Sequence, residues 1–396
     1  MKKLLMASAA TALVAGGATA QEDPIGIGII LGFTGPIESI TPNMSSSAQL
    51  AISEINEAGG ILDGRMLEAV TADSTCIDAS AATAAAERLI TSEGISGIMG
   101  ADCSGVTAAI LANVAVPNGM VMISPSATSP GLSEAEDNDF FFRTAPSDAR
   151  QGEVLANILM DRGIEEVAVT YTNNDYGQGL SDSFISSFEE TGGTVTLNAS
   201  HEDGRGDYSA EVGALASAGG DALVVLGYAD QGGLGIIRGA LDSGAFDTFA
   251  MGDGMYAQAL IDTIGDDMNG SFGAVPWSEG EGSEAFAGLT EAAGFDAATS
   301  YTRESYDAAA LIALAMQAAG STDPNEYKMS VMDVANEPGE QILPGELGRA
   351  IEILQEGGEI DYVGATNVEL IGSGEAAGTY LEYDIEDGTF SQVAIR

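Results

Sequence analysis

The chain has 396 residues, of which 60 are acidic and only 13 basic, for a formal charge of −47. That balance argues against nucleic acid as a partner, because affinity for phosphate backbones comes from clustered Lys and Arg. The acids are dispersed among apolar segments, with no acidic tail and no EF-hand spacing, so they describe a generally acidic surface that stays soluble in salty surroundings in preference to a dedicated cation site.

The first twenty residues, MKKLLMASAATALVAGGATA, place Lys2 and Lys3 before an apolar, small-residue run that ends in Ala18-Thr19-Ala20. This is the pattern of a secretory signal peptide. Cleavage is expected after Ala20, leaving a chain that begins near Gln21 with a formal charge of −49. The run is too short and alanine-rich for a transmembrane span, and no later span follows. The expected product is soluble, exported and periplasmic.

The remaining segments alternate in character. IGIGIILGF (25–33) reads as a buried strand, and SSSAQLAISEINEAGG as a helix with Ala48, Ala51, Ile52 and Ile55 on one face and a stop at Gly59-Gly60. Further strands are expected at GISGIMG (94–100), VMISP (121–125), EEVAVTYT (165–172), DALVVLGY (221–228) and FAMGDG (249–254). Alanine-rich helical stretches separate them, among them ASAATAAAERLITS, GLSDSFISSFEETGG and DAAALIALAMQAAG. Apolar strands alternating with helices predict an α/β protein with parallel sheets covered on both faces. Some 376 mature residues exceed what one core usually holds, so two domains are expected. The stretches RTAPSD (143–148) and AVPW (274–277) suggest the boundaries.

Cys76 and Cys103 are the two cysteines, and in an oxidising compartment an even pair reads first as a disulfide. Metal or redox chemistry is disfavoured by the lack of a CxxC motif and by a single histidine, His201, which lies in the polar stretch ASHEDGRGD and reads as a surface residue. An enzyme is equally disfavoured. The lysines are Lys2, Lys3 and Lys328, none in a P-loop. No GxSxG elbow accompanies His201, and neither GFTGP nor GYADQGGLG fits a dinucleotide-binding glycine pattern. No cofactor is expected.

In parallel α/β sheets, ligands sit beyond the carboxyl ends of the strands. The stretch MISPSATSP (122–130) breaks at such an end into small hydroxyl residues whose N–H and O–H groups could receive an anion.

Taken together, GFTGP, AISEINEAGGILDGR, DSTC, DCSG, MISPSATSP, FFFRTAPSDARQG, NNDYGQG and FAMGDG resemble, in order and spacing, the periplasmic substrate-binding proteins of branched-chain amino acid ABC transporters. The resemblance covers nearly the whole mature chain. It implies the type I periplasmic binding fold, two doubly wound parallel-sheet lobes joined by three hinge crossings: lobe 1 from 24–145 and 276–380, lobe 2 from 146–275 and 381–396. The third crossing is hidden somewhere in GATNVELIGSGEAAGTYLEYDI.

By the same resemblance the ligand is an amino acid. Its carboxylate would be held by Ser104, Ser126, Ala127 and Thr128, its ammonium by Asp253, and Tyr176 and Tyr228 would close over it. Relatives often carry glutamate at the Asp253 position, so the shorter acid leaves the ligand class open. Ile40 stands where branched-chain binders commonly present an aromatic, with Phe33, Glu38 and Tyr301 as further pocket neighbours. The function implied is a monomeric, non-enzymatic receptor that delivers an aliphatic amino acid to an inner-membrane ABC permease. Urea, a short amide or an aromatic acid as ligand, and a sensory role without transport, are the alternatives.

Overall fold

The computed structural model describes residues 23–396. The expected signal peptide, residues 1–20, lies outside the described residues. Among the described residues no helix is long and apolar enough to cross a membrane.

The apolar runs form the centres of two seven-stranded sheets. The first is built from β1 (Ile25–Leu31), β2 (Leu67–Asp73), β3 (Gly97–Gly100), β4 (Met122–Ser124) and β5 (Phe141–Arg143). The second uses β6 (Glu166–Thr172), β7 (Thr194–His201), β8 (Ala222–Leu226), β9 (Phe249–Met251) and β10 (Phe272–Trp277). After a separate two-stranded ribbon of β11 (Glu340–Ile342) and β12 (Ile360–Tyr362), the chain returns to both sheets. It adds β13 (Leu370–Ile371) and β14 (Glu375–Ala376) to the first sheet, and β15 (Thr379–Glu386) and β16 (Thr389–Ile395) to the second. The orders are β13-β14-β5-β4-β3-β1-β2 and β16-β15-β10-β9-β8-β6-β7.

β1 to β5 and β6 to β10 pair in parallel, as the buried apolar runs predict. Among the named strands, antiparallel pairing involves the late ones: β13 on β14, β10 on β15 and β15 on β16. Both sheets therefore carry a mixed edge that the pattern of early strands does not reveal.

Three features depart from the sequence expectations. AVPW is the buried end of β10, where Pro276 and Trp277 oppose Tyr380 and Thr379 of β15, so the chain leaves the second sheet after Trp277 and not within the stretch. Second-sheet residues thus run to 277 and resume at 379, and the chain passes from the first sheet to the second between Ala376 and Thr379. The strands β2 and β7 escape sequence reading because each is an edge strand with polar, half-exposed positions in place of a continuous apolar run.

The third departure is His201. It is 1% exposed, at the end of β7, where its Nδ1 lies 2.8 Å from the Thr170 hydroxyl. The acidic and glycine residues that follow it suggested a surface turn, but the ring points inward from the strand. Burial lowers its pKa from 6.5 to about 4. The sign follows: below about pH 6.5 the unfolded chain binds a proton that the folded chain refuses, so stability falls as pH drops towards 4, by about 3 kcal/mol for a shift of this size. Urea unfolding at pH 7 and at pH 4 should show this extra loss in the wild type and not in His201→Gln. Equal losses would show that another group titrates.

Cys76 and Cys103 form a disulfide between the loops after β2 and β3, closing a sequence separation of 27 residues. A loop of that length contributes about 3 kcal/mol in the chain-entropy picture. The double variant Cys76→Ala/Cys103→Ala should unfold at correspondingly lower urea with an intact ligand response. An unchanged midpoint would show that the reduced chain loses nothing.

Candidate functional site

The loops that leave the carboxyl ends of β1, β3 and β4 in the first sheet face those that leave β6, β8 and β9 in the second. Ile37, Ile40, Asp102, Cys103, Ser104, Ser126 and Tyr301 from one side, with Tyr176, Tyr228, Asp253 and Gly254 from the other, enclose a common space. The lobes are closed on each other, since Asp253 accepts a hydrogen bond from Tyr176 Oη at 2.9 Å on its own side and a second from the Tyr301 hydroxyl across the cleft.

The first-lobe wall is a set of interlocked loops. Asp102 is buried and accepts from the Gly32 N–H, from Ser74 Oγ at 2.9 Å and from the Cys103 N–H at 2.9 Å, which ties together the ends of β1, β2 and β3. Ser124 Oγ donates to Ala101 O at 2.5 Å, Ser126 Oγ donates to Asp102 O at 3.0 Å, and Ser104 Oγ accepts from the Ser129 N–H at 3.1 Å. Beneath the turn the buried Arg143 guanidinium donates to the carbonyls of Ala127 and Ser129, at 3.0 and 2.9 Å, and to Glu375 at 2.5 Å. A buried cation can be held only by such a full set of acceptors. Its effect is to draw the carbonyls of the turn away from the cleft, and this leaves the hydroxyl side of the turn for a ligand.

Of the four residues expected to hold a carboxylate, Ser104 and Ser126 line the space and Ala127 does not. The Ala127 N–H donates to Ser124 Oγ at 2.9 Å and its carbonyl is taken by Arg143, so its part is to shape the turn. Thr128 is buried, with a hydroxyl that makes no hydrogen bond.

That hydroxyl stands beside a residue that sequence reasoning passed over. Asp148 opens the helix Asp148–Asp161 directly after the first crossing between the sheets, is fully buried, and has no hydrogen-bond partner on either carboxylate oxygen. Burial, and then the charge of Asp253, push its pKa well above the ordinary value. Asp253 is also raised by burial, but the Tyr301 and Tyr176 hydroxyls pull it back. Two buried carboxyls therefore lie near each other with different support: Asp253 accepts from two phenols, whereas Asp148 has only the Thr128 hydroxyl beside it and the charge of Arg143 nearby. The signal for Asp148 was present in APSD, but an acid in the first turn of a helix is ordinarily explained by the helix dipole.

The tyrosines are built as neutral donors. Tyr176 and Tyr228 stack with ring centroids 5.2 Å apart. Burial first, reinforced by nearby acids, moves Tyr176, Tyr228 and Tyr301 well above pKa 10. Tyr176 is positioned by the helix Asp175–Glu190, whose cap Asn174 accepts from the Gly177 N–H at 3.0 Å. Tyr301 has φ of +60°, a left-handed conformation that costs a bulky residue roughly 1–2 kcal/mol. The strain is retained where the hydroxyl reaches Asp253, as at other ligand clamps. Phe33 is half-buried outside the space and Glu38 is exposed, so of the further neighbours expected from sequence only Tyr301 and Ile40 line it.

A family model described as periplasmic binding protein matches residues 24–334. The chain belongs to this family. The binding protein is 32% identical over 361 residues to the Leu/Ile/Val-binding protein homolog 1 of Brucella melitensis, covering 87% of this chain and 95% of the relative. Among solved structures, it matches the branched-chain amino acid transporter substrate-binding protein LivJ of Streptococcus pneumoniae in complex with isoleucine, with a TM-score of 0.77 and 23% identity over 94% of this chain and 99% of that one. It also matches an ABC transporter solute-binding protein of R. palustris in complex with 4-hydroxybenzoate, with a TM-score of 0.75 and 18% identity over 94% and 97% of the two chains. At these identities the solved structures establish the fold, two α/β lobes of the type I periplasmic binding class.

Proposed function

We propose that the binding protein is an extracytoplasmic receptor that closes on an α-amino acid, branched-chain or otherwise aliphatic, and delivers it to an ABC permease in the inner membrane. The observation that carries this reading is Asp253, buried in the cleft lining opposite Ser104 and Ser126, with a second buried acid, Asp148, near enough to feel its charge. Two desolvated acids call for a cation, and the hydroxyls of Ser104, Ser126 and Thr128 suit an anion. A ligand with both charges a few ångströms apart meets both demands. Ile37 and Ile40 line the same space and favour an aliphatic side chain.

In this reading the three crossings act as a hinge, Tyr176 and Tyr228 cover the ligand, and binding shifts the population of lobes towards closure. The Brucella relative's name supports a branched-chain ligand. An aromatic acid such as that bound by the R. palustris neighbour would leave both acids without a cation.

The test is a thermal-shift screen of the mature protein with the twenty amino acids, urea, acetamide and benzoate. A ligand at 100 times its dissociation constant adds about 2.7 kcal/mol of stability. Stabilisation by leucine, isoleucine or valine is expected. A response to benzoate or urea alone would overturn the ligand class and keep the receptor.

A further inference from the structure

We infer that Asp230 is a latch between the lobes that sets ligand affinity without touching the ligand. Asp230 lies in the loop after β8, and its carboxylate Oδ2 accepts from the Ser39 N–H at 2.8 Å. Its own N–H donates to Pro36 O at 3.1 Å. Ser39 and Pro36 belong to the loop after β1, in the other lobe, so one residue of the second lobe holds two backbone positions of the first.

What is held matters. The latched loop, residues 36–40, presents Ile37 and Ile40, which are buried and line the cleft, while Glu38 and Ser39 between them face solvent. On the other side, the loop bearing Asp230 also carries Tyr228, and Ala229 N–H donates to Gly254 O at 3.0 Å, next to Asp253. The latch therefore joins the apolar cover of the cleft to the loop that carries one wall tyrosine and is bonded beside the acid. Both of these bonds use backbone groups of the first lobe, which no substitution of Ser39 other than proline would remove. Asp230 is absent from the lining of the enclosed space. It is a positioning residue, and its effect is on closure: when only a fraction of the free protein is closed and binding-competent, apparent affinity falls by that fraction.

The inference rests on the receptor reading, and the experiment separates the two. Lobe separation is measured by small-angle scattering on ligand-free protein, and leucine affinity by calorimetry, for wild type, Asp230→Ala, Asp230→Asn and, as a charge control, Asp242→Ala on the exposed face of the helix Gly232–Ser243. Asp230→Ala is expected to widen the ligand-free particle and weaken leucine binding roughly five- to twentyfold, the size of one charge-assisted hydrogen bond and its coupling. Asp230→Asn keeps an acceptor for the Ser39 N–H and should restore most of the affinity, and Asp242→Ala should match wild type. Unchanged scattering and affinity in Asp230→Ala, or Asp230→Asn as weak as Asp230→Ala, would overturn the latch. If wild type binds no leucine but Asp230→Ala still opens the particle, the latch stands and the ligand class falls.

Discussion

Asp253→Ala should weaken amino-acid binding by at least roughly a hundredfold while leaving the protein folded. The carboxylate is 3% exposed and accepts from the hydroxyls of Tyr176 and Tyr301, so removing it strips two phenols of their acceptor and leaves a ligand ammonium facing a dry cavity. Breaking a buried ion pair by deleting one member costs about 3–5 kcal/mol, which is two to three decades or more in affinity. The companion substitution Asp253→Asn keeps an acceptor for the tyrosines and removes only the charge. It should lose most of the affinity as well.

Stability should move the other way. With no cation present, burial together with repulsion by Asp253 disfavours the charged form of Asp148 and raises its pKa well above the ordinary value, so the ligand-free pair is tolerated only by keeping a proton. Neutralising Asp253 relieves the repulsion, so ligand-free Asp253→Asn is expected to melt no lower than wild type and to lose the shift with leucine. Calorimetric titration with a ligand-free melting curve checks both. Retained binding would remove Asp253 from the site, and a lower ligand-free melting temperature would make it a structural residue.

Some of this was legible from residues alone and some was not, for definite reasons. Buried strands such as IGIGIIL and ALVVL announce themselves because both faces are covered. The edge strands β2 and β7 do not, and with β7 went the burial of His201. Residues at the ends of central strands, Ser104, Tyr228 and Asp253, could be placed because the parallel sheet delivers every such end to the same side. The turn SPSATSP reads as one ligand-facing unit with Ala127 in it, since nothing there reveals that Arg143, sixteen residues on, takes that carbonyl. Tyr301 is legible only through the resemblance, because its left-handed turn is set by tertiary structure, and Asp148 is not legible at all, because local pattern at a crossing carries no instruction about direction.

Asp148 leads to the second large effect, a proton released when the ligand binds. At the buried start of its helix Asp148 has no hydrogen-bonded partner on its carboxylate oxygens, and its pKa is raised well above 3.8 by burial and by Asp253. Asp253, supported by two phenols, is the better anion of the pair, so the shared proton belongs on Asp148. An ammonium placed between them removes the reason for the shift and lets both ionise. The sign follows: a group whose pKa falls on binding releases a proton, and affinity weakens as pH drops below the free-protein value, by up to one decade per pH unit. Leucine titrations at mildly acidic pH in two buffers of different ionisation enthalpy should therefore report net proton release in wild type and none from this site in Asp148→Asn. The comparison is needed because Glu304 and Asp307 are also buried, with pKa values raised to about 7 and about 6 by desolvation, and their titration is common to both proteins. Asp148→Asn should also bind at least roughly tenfold more weakly at neutral pH, having lost a charge-assisted contact. Identical buffer dependence in the two proteins, or an Asn variant that binds as tightly as wild type, would mean that Asp253 alone meets the ammonium and that Asp148 stays protonated in the complex.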